Sequence, residues 1–226
     1  MDFIFQTHIH HIVMHDQLVI FDEKKDLFSI LSKLQTTTLI IGNKHCERYR
    51  TLYDHLLSLN IITRQNGFSQ TLRKAQENYT GIDNYTWRAD ERIRPKNIRP
   101  LSILRACLDL VRLKSKFMRH GFEAILNDMR TSKQHLIKTV FPPTFNELEN
   151  YANDIYIASL ILPFKIKCLE SSICVFNHTI KSGKTCDFII GIQLFDFLSH
   201  AWIEVDGKVV ADKNDLSTKL PIILKI

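Results

Sequence analysis

The 226-residue sequence predicts an α+β protein in two parts, and three observations predict it. Short β-type runs crowd residues 1–62 and end in one amphipathic stripe. Helical periodicity dominates after residue 100, and the pattern then turns to short strands at the C-terminal end. Between them, residues 63–100 are poorly periodic and rich in Arg, Asn, Gln and Lys, with Gly67, Gly81, Pro95 and Pro100 as punctuation.

In the first part, Ile9 to His15, Leu18 to Phe21 and Leu27 to Leu31 are strand-like, with Asp22 to Asp26 as a turn. Tyr49, Leu52, Tyr53, Leu56 and Leu59 recur at helical spacing and predict a helix over 46–60, after the break at Gly42-Asn43. This part is assigned residues 1–80. A basic linker follows over 81–100, carrying a short anchor around Tyr85 and Trp87. The second part covers 101–226. Its clearest helix is 101–130, where Leu104, Leu108, Val111, Met118, Phe122, Ile125 and Met129 form the predicted apolar stripe, and Gly121 is a point where it can split. Thr144 and Glu147 fit a capping box opening a helix to Leu162. A helix over 168–181 stops near Gly183, and strands follow at 187–193, 200–205 and 208–211.

Composition narrows the function classes. Apolar residues make up 45% and charged residues 24%, as in ordinary globular proteins, which excludes disordered and collagen-like chains. No apolar run approaches the roughly 18 residues that span a bilayer. The start MDFIFQTHIHH has neither a basic n-region nor a cleavage site, so no secretion signal is read. Five scattered cysteines, an odd number, point to free thiols in a reducing compartment, and hence to the cytoplasm.

The net charge is +6, with the excess in the middle: residues 64–138 hold 16 Lys/Arg against 7 Asp/Glu. A basic middle invites a nucleic-acid reading. The charges on 105–123 are spaced for i,i+3 and i,i+4 pairing, however, and no nucleic-acid motif appears, so no nucleic-acid partner is expected.

Two motifs lead nowhere. His8 and His10 share a strand face, but no Cys or carboxylate nearby completes a tetrahedral set, and an exposed strand without metal is the expectation. Lys181-Ser-Gly-Lys-Thr185 ends like a P-loop, yet it lacks the earlier glycine, His178 standing there, and it leads from helix to strand. It reads as a helix-ending turn, leaving no nucleotide site in this chain.

The C-terminal third carries the candidate chemistry. Cys168 opens a helix, where amides and dipole favour a thiolate. His200 opens a strand, and Asp212 follows after a turn at Asp206-Gly207. A cysteine nucleophile needs a base, and the base an acceptor that fixes its tautomer. By composition alone this set is unspecific. Cys46, Cys107, Cys174 and Cys186 read as inert thiols.

The segments Lys167-Cys-Leu-Glu-Ser-Ser172, Phe188 to Gln193, Ser199-His-Ala-Trp-Ile-Glu-Val-Asp-Gly-Lys208 and Ala211-Asp212 resemble the lasso-peptide B proteins. These are the microcin-maturation leader peptidases of the transglutaminase-like superfamily. The spacings of 32 from Cys168 to His200 and 12 from His200 to Asp212 are similar too. The resemblance covers about 160–215. More weakly, Asp16 to Asp22 and Phe28 to Ile30 resemble that family's leader-recognition domain. It implies a small winged-helix-like N-terminal domain and a papain/transglutaminase-like C-terminal domain with helices packed on an antiparallel sheet. It implies a peptidase that removes the leader so that a partner can close the macrolactam, with Cys168 as nucleophile, His200 as base and Asp212 as orienting acid. The implied partners are the precursor's leader, an asparagine-synthetase-like lasso cyclase and an exporter-associated complex. ATP belongs to the cyclase, and this chain holds no cofactor. The papain-type oxyanion Gln is replaced by Leu162, leaving the Cys168 N–H as the donor that can be named. The alternative is a non-catalytic peptide-binding scaffold that delivers the precursor.

Strand register gives one further expectation. Opposed residues of an antiparallel pair have a constant index sum. For His200 to oppose Asp212, the loop must hold three residues, 205–207, with Gly207 as a G1 bulge. Trp202 then opposes Val210 and Glu204 opposes Lys208, while Ala201, Ile203, Val209 and Ala211 form a core face. A two-residue loop would turn Asp212 away and remove it from the set.

Overall fold

The computed structural model describes residues 3–65, 71–76, 78–82, 99–137 and 142–226. The chain forms two compact units, Met1–Asn78 and Tyr79–Ile226. Tyr85 and Trp87 lie outside the described residues.

In the first unit, β1 (Phe3–Phe5) pairs antiparallel with β5 (Ile62–Arg64). The strands β2 (Ile9–Met14), β3 (Gln17–Asp22) and β4 (Leu27–Leu31) form a meander. Its first hairpin turns on His15 and Asp16, both at positive φ, as a two-residue primed turn demands. Two helices pack there, α1 (Lys33–Ile41) and α2 (Glu47–Ser58). The sequence reading missed α1, because its apolar residues are too few to make a stripe. It is held instead by polar chemistry: Ser32 and Gln35 form a capping box, and Thr36 Oγ1 accepts from Leu18 N–H at 2.9 Å. The core gathers Phe3, Leu18, Ile20, Leu39, Leu56 and Ile62.

The histidine-bearing strand is not the exposed one expected. His8 is buried, His10 Nε2 meets Glu23 Oε1 at 2.5 Å, and His11 stacks on Phe5. Among the described residues no group of side chains is arranged to hold a metal.

The second unit packs three helices on a four-stranded antiparallel sheet. The helices are α3 (Pro100–Gln134), α4 (Phe145–Ile161) and α5 (Cys168–Lys181). The strands β6 (Asp187–Gln193), β7 (Leu198–Val205), β8 (Lys208–Val209) and β9 (Ile222–Lys225) run in the order β8-β7-β6-β9, and a short α6 (Leu216–Lys219) leads into β9. The sequence reading ended before α6 and β9. Thr144 caps α4 through its predicted box with Glu147. The 181–185 stretch ends α5, with Gly183 at φ 78° and Lys184 N–H bonded to Thr179 O.

The predicted stripe on α3 holds only beyond Gly121. Phe122, Ile125 and Met129 are buried, but Leu104, Leu108, Val111 and Met118 are 57%, 47%, 45% and 75% exposed. Ile103, Ala106, Leu110 and Leu113 are buried in their place. Gly121, at φ 74° and ψ 179°, resets the helical phase, so a stripe extrapolated back from Phe122 arrives on the wrong face. Nothing lies within 4 Å of a Cβ built at Gly121, so a substitution there meets backbone strain alone. Gly121→Ala is therefore expected to cost about 1–3 kcal/mol, read as a lowered urea midpoint with an unchanged slope.

Candidate active site

The site starts from the seating of α5 on β7. Cys168 is the first helical residue, and Glu170 accepts from Lys167 N–H at 3.0 Å to close the first turn. One turn later, Ser172 Oγ donates to Ala201 O at 2.9 Å, tying the helix to the strand that carries His200. Cys168 and Asp212 line one cavity of about 30 Å³, together with Ser171, Ala201, Trp202 and Val210. That is room for a water-sized group.

His200 is buried, and its Nε2 lies 2.8 Å from Asp212 Oδ2. Burial disfavours a charge on either partner, pushing His200 down to about 4 and Asp212 up to about 7. Their mutual attraction at 2.8 Å works against that push. Burial also pushes the Cys168 thiol up, while backbone hydrogen bonds from Ala201 and Leu169 pull the other way. The helix start thus helps the thiolate as expected, but burial outweighs it. Burial thus disfavours the charged form both of the Cys168 thiol and of the His200 imidazole.

The hairpin corrects the register argument. Glu204 pairs with Val209 and Val205 with Lys208 across a two-residue Asp206-Gly207 turn, both residues at positive φ. The G1 bulge is not formed, and Trp202 does not oppose Val210: Val210 N–H bonds to Ile203 O. Asp212 nevertheless reaches His200, because the ladder ends first. Ala211 takes φ 54° and swings the chain, so Asp212 is no longer bound by strand alternation. An index sum applies only while both partners stay in the strand.

Two supports were not visible in the sequence. Gly191 stands opposite His200 in the β6–β7 ladder, and a Cβ there would come within 2.7 Å of the Trp202 ring and 2.8 Å of Leu220 Cβ. Glycine at 191 therefore lets Trp202 lie across β6 and stack beside His200, with ring centroids 6.2 Å apart. Trp202 Nε1–H donates to Glu204, which also accepts from Ser217. The second support is Ile82, which packs with Trp202, Val209 and Leu220. Its N–H donates to Gln193 Oε1 at 2.7 Å, and Gly81 N–H to Lys219 O at 3.1 Å. Residues 81–82, read from sequence as the start of the linker, belong instead to the core under this site. A single apolar residue in a polar stretch gives no periodic signal.

All five cysteines are free, and Cys174 and Cys186 are buried. Burial pushes both thiols up, Cys186 to about 12.

Residues 110–225 match the model of the transglutaminase-like superfamily. Among curated proteins, the microcin J25-processing protein McjB of Escherichia coli is 28% identical over 75 residues. The matched stretch covers 31% of this chain and spans 36% of McjB. No solved structure matches.

Two measurements follow. Alkylation of Cys168 by iodoacetamide should accelerate steadily as pH rises from 6 to beyond the ordinary thiol range near 8.5. A rate already constant between pH 5 and 8 would instead reveal a preformed thiolate–imidazolium pair. Gly191→Ala should destabilise the second unit by about 1–3 kcal/mol through overpacking against Trp202, measured by denaturant unfolding.

Proposed function

The chain belongs to the transglutaminase-like superfamily, and on that basis we propose that it is a cysteine peptidase removing the leader from a lasso-peptide precursor of the microcin type. The observation that carries the reading is the His200–Asp212 hydrogen bond, with Asp212 and Cys168 lining one cavity. The likeness to a microcin J25-processing protein supports the class of substrate.

In this mechanism Asp212 accepts from His200 Nε2–H and fixes the tautomer, so Nδ1 is the basic nitrogen. Nδ1 takes the Cys168 proton as sulfur attacks the scissile carbonyl, and the proton passes to the leaving amine. The product is a thioester to the leader. Water attacks it, giving its proton to His200; the carbon–sulfur bond breaks, the leader leaves as a carboxylic acid, and the Cys168 thiolate takes the proton back from His200. The oxyanion would meet the first-turn amides of α5, Cys168 N–H among them, which make no intrahelical bond. Because Asp212 accepts as a carboxylate and burial raises its pKa to about 7, cleavage should strengthen as pH rises through neutrality.

Leader recognition is assigned to the first unit by strand addition. The outer edge of β2 already bonds to the chain itself, Val13 N–H to Arg73 O and Ala75 N–H to Val13 O. The edge of β4 is the other end of that meander, and it is the edge we assign to the leader. In this reading an asparagine-synthetase-like cyclase then closes the macrolactam and uses the ATP, an exporter-associated complex takes the product, and the work is cytoplasmic. Among the described residues no helix is long and apolar enough to cross a membrane.

The test uses a lasso-peptide precursor carrying its leader, incubated with the protein and followed by mass spectrometry. Cys168→Ala and His200→Ala should each reduce cleavage at least about a thousandfold while leader affinity stays within about twofold. Cleavage by Cys168→Ala at the normal rate would sink the peptidase reading and favour a delivery scaffold. A soluble fragment of residues 1–80 should bind a labelled leader peptide by itself. Absence of binding by the folded fragment would move recognition elsewhere.

A further inference from the structure

We propose that the groove between α3 and α5, separate from the Cys168 cavity, is a binding site for an acidic peptide segment. The groove holds a cavity of about 200 Å³ whose lining includes Arg105, Arg112, Lys116 and Lys181, with Asn177 and His178 also facing it. Arg119 continues the row, on a neighbouring surface depression that shares Arg112 and Lys116.

The cations are arranged, not merely numerous. Tyr151 OH donates to Asp109 Oδ2 at 2.7 Å and fixes that carboxylate in the groove. Arg105 Nε stands 4.0 Å from Asp109 Oδ2 and Arg112 Nη1 3.9 Å from Oδ1, so one anchored acid orients two guanidinium groups that remain mostly exposed. At those distances neither arginine makes a close hydrogen bond to it, and both side chains stay largely exposed to a further acceptor. Lys116 pairs with the exposed Asp128. The groove lining therefore holds four cations and the one carboxylate of Asp109, and it keeps a positive potential.

The length of the row selects the ligand. From Arg105 to Arg119 the helix advances about 20 Å. A single small anion engages one point of such a row, whereas a peptide with carboxylates every few residues engages all of it. A nucleic-acid strand would also reach, but the exposed flank of the row is aliphatic, which suits apolar peptide side chains, and the two ligands are separated by the test below. Leu104, Leu108 and Val111 are exposed alongside it. A peptide alternating acidic with apolar side chains complements both stripes.

The test is fluorescence anisotropy of a fluorescein-labelled hexaglutamate peptide with the full-length protein, at about 50 mM salt to limit screening. Binding is expected, and Arg112→Glu/Lys181→Glu should weaken it about tenfold or more. Lys208→Glu/Lys213→Glu, which changes net charge equally at residues of the second unit that do not line the groove, should leave it within about twofold. Arg112→Gln/Lys181→Gln, with an unchanged thermal midpoint, should show an intermediate loss and so separates lost contacts from lost folding. The proposal is overturned if hexaglutamate fails to bind, if the groove reversal binds as tightly as wild type, if the control weakens binding equally, or if a labelled hexathymidylate binds while hexaglutamate does not. None of these readings depends on cleavage.

Discussion

The candidate chemistry depends on α5 staying seated on β7. Ser172 anchors the helix one turn beyond Cys168 by donating to the carbonyl of Ala201, the neighbour of His200. A buried hydroxyl–carbonyl bond of this kind is directional, so it fixes both the height of the helix and its rotation over the strand. Cys168 is then held against the same stretch of strand that carries the histidine. The imidazole is buried and the thiol partly so, which disfavours their charged forms.

Behind His200 lies a second layer that makes its position rigid. Trp202 is almost wholly buried, its indole N–H is held by Glu204, and its ring fills the space left by the missing side chain at Gly191. Ile82 belongs to the same buried cluster as that ring. A residue far away in sequence thus belongs to the histidine's surroundings. Gln193 clips Ile82 to the sheet of the second unit. An imidazole supported by a packed indole has few alternative rotamers, which is how a hydrogen bond as short as that to Asp212 can be kept in a buried place.

Much of this was legible in the sequence. The cap Thr144–Glu147, the start of α5 at Cys168, its end at Gly183 and the bounds of β6 follow from local signals: a hydroxyl three residues before a carboxylate, a glycine where φ must be positive, an uninterrupted apolar run. The three candidate residues could be named as well, because their spacing resembles that of a known family even though their types alone are unspecific, and of them the structure joins His200 to Asp212 by a hydrogen bond. These features are set by interactions a few residues long, or by a spacing that can be read without knowing the fold.

The remainder belonged to the tertiary structure. Which of two apolar stripes on α3 is buried turned on one backbone angle at Gly121, and phase beyond a kink cannot be extrapolated from either side. The route by which Asp212 meets His200 turned on Ala211 leaving the ladder, a left-handed residue where neither glycine nor asparagine announces one. The placing of Ile82 beneath Trp202 turned on contacts more than a hundred residues apart. Local sequence fixes dihedral preferences and periods. It does not carry the packing free energy by which distant segments choose a face, a register or a partner, and that choice is what assembled the site.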